Sequence, residues 1–200
     1  MHTPLKSSAK LALALAVTLT LSGCLSTRSY VDTALPMVGK SDVGTVASPA
    51  PVQVLAEFRT QGNANARATG FMKPRVLAVA NESGLFTTAT EAPASNQATL
   101  TVVIDNVPLT DNAAAKGFGT GLTFGAVGTM VTDGYAATLT YRVGETSKSV
   151  EVKHALHTTV GNHAGPANLT PVSPEQAAGQ VIDQITWNGL KQLREQGAFE

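Results

Sequence analysis

The 200-residue sequence has little charge, few aromatic side chains and a single cysteine. It carries 14 basic and 14 acidic residues, and 5% of its residues are aromatic. A balanced charge with no basic cluster argues against nucleic-acid binding and against strong attraction to anionic lipid. One cysteine, Cys24, excludes an intramolecular disulfide. The apolar run at residues 11–21 is shorter than the roughly 20 residues that a membrane-spanning helix needs.

The residues around Cys24 form a recognisable signal. Lys6 and Lys10 precede the apolar run, which ends in Leu21-Ser22-Gly23-Cys24. This arrangement resembles a secretory signal closed by the lipobox of a bacterial lipoprotein. The resemblance implies that the Cys24 sulfur receives a diacylglycerol, that residues 1–23 are cleaved off, and that the freed amine is acylated.

Acylation would decide where the protein resides. Cleavage removes Lys6 and Lys10 from the 14 basic residues, which leaves 12 against 14 acidic residues, a net charge of about −2 with neutral histidines. The membrane partner is therefore reached through the acyl chains, since several chains on one cysteine hold a membrane durably. Leu25, rather than an aspartate, follows the cysteine. By the lipoprotein sorting rule this favours the periplasmic face of the outer membrane.

The mature chain is predicted to have two parts. Residues 24–50 are rich in small and polar side chains and are typical of a flexible tether, which has room for a short strand near Tyr30–Val31. Residues 51–200 are predicted to form one domain. Alternating apolar residues predict strands near 52–58, 85–88, 98–107, 135–143 and 148–160, the last two as a hairpin. Helical spacing predicts helices over 64–83, kinked or split at Pro74, and from Pro174 to Gly197. The second helix is predicted to start with a capping box of Ser173 and Gln176 and to bury a stripe that includes Ile182, Ile185 and Leu193.

This order predicts an α+β domain of two layers: an antiparallel sheet of four to five strands with two helices on one face. The first helix runs into Ser83-Gly84-Leu85-Phe86. In this respect the chain is similar to small periplasmic domains of envelope lipoproteins and assembly systems, such as the curli-secretion lipoprotein and the N-terminal domain of the Tol-system periplasmic protein. The resemblance is architectural and implies no functional residue.

Residues 113–132 form an unusual glycine-rich stretch with Lys116 as its one charge. Gly117, Gly121 and Gly125 recur every four residues, a spacing that permits close packing on a helix. Three roles are open: a permissive connection with an edge strand, docking onto a protein partner, or insertion into lipid. The possible contact residues are Gly117, Phe118, Gly121, Phe124 and Gly125. The phosphate-loop and dinucleotide patterns both fail here, so no cofactor is predicted.

The remaining residues with catalytic potential are scattered. His154 and His157 should point to opposite faces of one strand, so no metal site is predicted from them or from His163. Asp105, Asp111 and Asp133 are interpreted as turn or cap residues. Tyr135 and Tyr141 are interpreted as core residues, and no nucleophilic-serine motif occurs.

Three functions remain open. The favoured one is a non-catalytic lipoprotein, an accessory or assembly subunit of an envelope complex with a protein partner or self-association. The second is a membrane-active or pore-forming lipoprotein that uses residues 117–132. The third is a periplasmic enzyme or small-ligand binder with a site around Asp133, Tyr135 and His154.

Overall fold

The computed structural model describes residues 26–109, 130–161 and 164–200. Within these residues it contains seven strands and three helices, which we number in chain order. The elements are β1 (Thr27–Val31), α1 (Lys40–Val43), β2 (Ala50–Thr60), β3 (Asn63–Ala64), α2 (Ala66–Glu82), β4 (Phe86–Thr90), β5 (Thr99–Pro108), β6 (Met130–Val143), β7 (Thr146–Val160) and α3 (Pro174–Glu195).

The strands form one mixed sheet in the order β1-β7-β6-β5-β2-β3, with β4 also paired to β2. Strand β2 runs parallel to both β4 and β5, whereas the other pairs are antiparallel. The α+β class is confirmed, but the prediction of four to five antiparallel strands is wrong. The reason lies in α2, which carries the chain back across the sheet between β2 and β4 and so makes those strands parallel.

Residues 27–50 pack onto the folded body instead of forming a flexible tether, and the short strand expected near Tyr30–Val31 is present as part of β1. Strand β1 pairs along its length with β7, and Ser29 also bridges to Val172 on its other side. Tyr30 and Val43 are buried. Short polar residues around two apolar ones resemble a linker in composition, but here the neighbouring strand supplies the partner that orders them.

The β6–β7 hairpin is confirmed, and it is longer than predicted. Its register runs from Met130 opposite Thr159 to Val143 opposite Thr146, and Gly144 takes the positive φ of +55° that the turn requires. Strand β6 therefore starts before Tyr135. It lies between β5 and β7 along most of its length, but its register with β5 reaches only to Asp133, whereas Met130 and Val131 pair with β7.

Helix α2 is one continuous piece that includes Pro74, so the alternative of two helical pieces is wrong. The Asn65 side chain accepts from the Ala68 backbone N–H at 3.0 Å and caps the first turn.

Helix α3 begins as predicted, with a reciprocal capping box between Ser173 and Gln176. Its apolar stripe, which includes Ile182, Ile185 and Leu193, is buried. Helix α3 contacts β6, β7, β1, α2 and the unpredicted helix α1. The picture of two helices on one face is therefore incomplete. No helix in the described parts of the chain is long and apolar enough to cross a membrane.

Candidate functional site

The two strand histidines lie on opposite faces of β7, as their spacing predicts. His154 pairs in register with Tyr135 of β6, whereas His157 pairs with Thr132 of β6 and with Tyr30 of β1. Both imidazoles are fully buried. Each of them must therefore find its hydrogen-bond partners inside the protein, because water does not reach it.

His157 joins a buried carboxylate to a buried hydroxyl. Its Nε2 lies 3.1 Å from Oδ2 of Asp32, and its Nδ1 lies 2.9 Å from Oγ1 of Thr132. Oδ1 of Asp32 accepts from the Ala34 backbone N–H at 2.7 Å. Sequence analysis missed this group, which we call the Asp32–His157–Thr132 network. Asp32 lies 125 residues before His157, so no local spacing indicates that the two meet.

The order carboxylate, imidazole, hydroxyl is also the order that activates a nucleophile in hydrolytic enzymes. Such an enzyme needs its hydroxyl open to a substrate. Here Thr132 is 6% exposed and His157 is 0% exposed. Three surface cavities lie in the described parts of the chain: one beside α3, one beside the C-terminus and one on β2 and β5. Neither Thr132 nor His157 lines any of them. The network therefore has the residue types of a catalytic triad but not its accessibility.

His154 makes a different set of contacts. Its Nε2 lies 2.6 Å from Oε1 of Gln184 on α3, and its Nδ1 has no hydrogen-bond partner among the described residues. Burial lowers the pKa of His154 to about 4, although the Gln184 hydrogen bond opposes that shift. The imidazole is consequently neutral at pH 7, and the Gln184 carbonyl accepts its Nε2 proton.

The hypothesis of an enzymatic or ligand site around Asp133, Tyr135 and His154 receives mixed support. Burial raises the pKa of Asp133, and burial together with the Asp133 charge raises the pKa of Tyr135. Tyr135 also packs edge-on against Phe58, with ring centroids 6.3 Å apart. These shifts arise from packing in the core, and none of the three cavities is lined by the proposed residues. The core role predicted for Tyr135 is confirmed, as is that of Tyr141.

Other polar predictions can be checked individually. Asp105 lies within β5 and Asp133 within β6, so the prediction that these two are turn or cap residues is wrong. Both carboxylate oxygens of Asp105 instead accept from the Gly62 backbone N–H, between β2 and β3, at 3.0 Å. In the described parts of the chain, no group of three or more His, Cys, Asp or Glu residues could hold a metal ion. Asp111 and His163 lie outside those parts.

One surface groove reaches both buried histidine networks. It has a volume of about 550 Å³ and lies between the loop after β1, the segment before α3 and α3 itself. Its lining includes Asp32 and Gln184, which are the partners of His157 and His154. The remaining lining residues are Val31, Thr33, Leu35, Met37, Asn168, Leu169, Thr170, Val172 and Gln180. Apolar walls with amide and hydroxyl groups suit a small amphipathic ligand.

Two smaller cavities lie elsewhere. One, of about 350 Å³, lies beside the C-terminus and is lined in part by Thr45, Arg194 and Phe199. The other, of about 340 Å³, lies on β2 and β5 and is lined by Leu55, Val103 and their neighbours. Leu55 is 44% exposed, which makes this part of the sheet an uncovered surface with apolar character.

The residues that the sequence singled out most strongly lie outside the described parts of the chain. They are Cys24, Gly117, Phe118, Gly121, Phe124 and Gly125. Leu109 and Met130 are the described residues that border residues 110–129. Leu109 donates its backbone N–H to the Thr132 carbonyl at 2.8 Å, and Met130 pairs with Thr159.

No family model matches the sequence, and no curated protein matches it. Three solved structures are similar at low identity. A PelC variant dodecamer from Paraburkholderia phytofirmans is 12% identical, covers 80% of this chain and 92% of its own, and has a TM-score of 0.32. A Xanthomonas campestris protein of family DUF330 is 11% identical over 81% and 92% of the two chains, with a TM-score of 0.34. A Caulobacter crescentus CB15 protein described as a candidate lipoprotein is 10% identical over 78% and 90%, with a TM-score of 0.27. TM-scores this low support no inference about function.

Proposed function

We propose that this chain is a non-catalytic lipoprotein, an accessory or assembly subunit of a cell-envelope complex. Cys24 carries its acyl chains and holds it at the periplasmic face of the outer membrane. The observation that carries the proposal is the Leu21-Ser22-Gly23-Cys24 motif, together with a folded body that begins within three residues of it, at strand β1. A signal of this kind placed directly before an ordered strand serves to attach that body to a membrane.

The closed Asp32–His157–Thr132 network supports a non-catalytic role. An imidazole that is hydrogen-bonded on both sides and sealed from solvent stabilises the packing of three strands. Thr132 lines none of the three described cavities, although Asp32 at the other end of the network lines the groove beside α3.

The uncovered surface at Leu55 and Val103 supports a role as a subunit. A cavity with an exposed leucine on the sheet, bordered by Glu57 and by the Lys73–Glu91 ion pair, suits contact with another protein through an apolar patch with a charged rim. This surface lies on β2 and β5, at the side of the sheet far from β1.

One experiment tests both halves of the proposal. We expect the full chain to incorporate an alkyne fatty-acid analogue in cells and to fractionate with outer membranes, whereas Cys24→Ala incorporates none because no second thiol exists. In the same cells, a photo-crosslinking amino acid at Leu55 should give a discrete adduct that the same group at exposed Arg67 of α2 does not give. Equal labelling of the Cys24→Ala chain contradicts the anchor, and identical adduct patterns at the two positions contradict the subunit role.

A membrane-active lipoprotein is the second candidate function. Leu109 and Met130, which border residues 110–129, both lie at the end of the sheet where β1 begins. The possible lipid or partner contacts Gly117, Gly121 and Gly125, with Phe118 and Phe124, follow from the sequence of residues 117–132, which carries no charge. Oligomers of the acylated chain in detergent, with lost membrane activity in Gly121→Leu, would favour this function over the first.

A further inference from the structure

The first described residues are fastened to the end of β7. Ser26 Oγ donates to the Gly161 carbonyl at 3.2 Å, and the Gly161 N–H donates to the Ser26 carbonyl at 2.8 Å. The next residue, Thr27, pairs with Val160. Ser26 is therefore part of the sheet, and no slack remains between it and the rest of the domain.

The chain between the proposed acylation site and Ser26 is very short. Only Leu25 separates Cys24 from Ser26. Two residue steps of extended chain span at most about 7 Å. Acyl chains on Cys24 would therefore hold Ser26 within about one headgroup layer of the bilayer, whatever conformation Leu25 takes.

Other strand ends lie beside Ser26. Met130 opens β6 opposite Thr159 of β7, so β6 begins at the end of the sheet where β1 begins. The next residue, Val131, is 49% exposed. We define the anchor end as Ser26, Thr27, Met130, Val131, Val160 and Gly161, which are uncharged. Exposed Arg28 borders it, because Arg28 and Met130 both pair with Thr159.

The far end of the same strands has the opposite character. Strand β6 runs through 14 residues to Val143, which corresponds to roughly 45 Å at about 3.4 Å per residue. There the hairpin turns at Gly144, and exposed Arg142, Glu145 and Lys148 surround it. The end of the sheet beside the proposed acylation site thus carries one exposed charge, Arg28, whereas the far end carries several.

We propose that the anchor end lies directly on the bilayer surface and that the β6–β7 hairpin projects away from it into the periplasm. The inference rests on the proposed acylation of Cys24 and adds an orientation to it. The occupant of the anchor end is the lipid surface, because the chain that leaves Ser26 leads to the acyl chains within two residues. Contact does not depend on anionic lipid, since the acyl chains provide the attachment and Arg28 is the one cation beside the anchor end among the described residues.

Depth-dependent quenching tests this orientation. The full chain is purified in its acylated form, in which the Cys24 sulfur is a thioether and does not react with maleimides. Val131→Cys and Glu145→Cys variants then carry one bimane each and are reconstituted into phosphatidylcholine vesicles with or without a headgroup-nitroxide lipid. We expect at least a threefold loss of fluorescence at position 131 and no measurable loss at position 145. Adding phosphatidylglycerol should leave both values unchanged.

Three controls keep failure of the anchor distinct from failure of the orientation. A Thr27→Cys variant supplies a second label at the anchor end in case the Val131 variant misfolds. A chain of residues 26–200 with the same labels, which has neither the acyl chains nor the apolar signal run, should neither float with vesicles nor lose fluorescence at either position. If the acylated chain floats but both labels are quenched equally, or only position 145 is quenched, the orientation is wrong while the anchor stands. If the Cys24-containing chain does not float, the anchor fails and the orientation fails with it.

Discussion

Two helical glycines provide a matched test of how α3 sits on the sheet. At Gly70 of α2, an added Cβ would meet no heavy atom within 4 Å. At Gly189 of α3, an added Cβ would lie 2.4 Å from Cδ2 of Leu139, which is a fully buried residue of β6. The same substitution, glycine to alanine, therefore meets open space at one position and a packed core at the other.

The expected effects have opposite signs. Alanine is favoured over glycine inside a helix by about 1 kcal/mol, so Gly70→Ala should raise the free energy of unfolding by that amount. Gly189→Ala gains the same helix term, but overpacking against Leu139 costs about 1–3 kcal/mol. Its net effect should lie between zero and about 2 kcal/mol of lost stability. At roughly 2–4 °C per kcal/mol for a chain of this size, the two variants should melt about 2–12 °C apart.

Thermal and urea unfolding of the non-acylated chain from residue 26, followed by circular dichroism, measures both variants against the parent. If Gly189→Ala melts as high as Gly70→Ala, then α3 does not approach β6 through Gly189, and the close helix–sheet contact is wrong. A melting temperature of Gly70→Ala below that of the parent chain would instead contradict the exposed position of Gly70 on α2.

Two further predictions concern β1 and His154. A chain of residues 51–200 lacks β1, so it loses buried Tyr30 and leaves His157 without Asp32. Its free energy of unfolding in urea should be several kcal/mol below that of residues 26–200. Equal unfolding midpoints for the two chains would contradict the stabilising role of β1. The pKa of His154 is about 4 in the folded protein and about 6.5 in the unfolded chain. As the pH is lowered, the unfolded chain therefore binds the proton first. The free energy of unfolding should fall by up to about 3 kcal/mol as the pH drops from 6.5 to 4. His154→Gln should remove that part of the decline, and an unchanged pH profile in this variant would contradict it.

The sequence predicts local structure well wherever one segment carries its own signal. The capping box of Ser173 and Gln176, the stripe on α3 and the β6–β7 hairpin depend on residues close together in the chain, and the structure confirms them. The parallel pairing of β2 with β4 and β5 depends instead on the direction in which the chain returns to the sheet after α2. No periodicity of apolar residues in the sequence indicates that direction. Strand β1 is ordered by its pairing with β7, so the linker-like composition of residues 24–50 does not reveal that this segment folds onto the sheet.

The candidate site shows the same division. The face on which each histidine lies follows from the period of a strand. The partners do not, because Asp32 and Gln184 come from distant elements, 125 and 30 residues away from their histidines. The one available hint was indirect: a buried strand histidine requires a buried partner, and few acidic residues lie in apolar surroundings.

The Asp32–His157–Thr132 network has a structural consequence that links it to the membrane. Asp32 follows β1 directly and reaches His157 only when Tyr30 pairs with His157, since a shift of one residue turns every β1 side chain to the other face. A slipped β1 would leave both the carboxylate and the imidazole buried without each other, at a cost of several kcal/mol. The network thus fixes the register of β1 on β7. Because Ser26 and the proposed lipid site precede β1 without slack, that register would also determine which strand ends meet the bilayer in the proposed orientation.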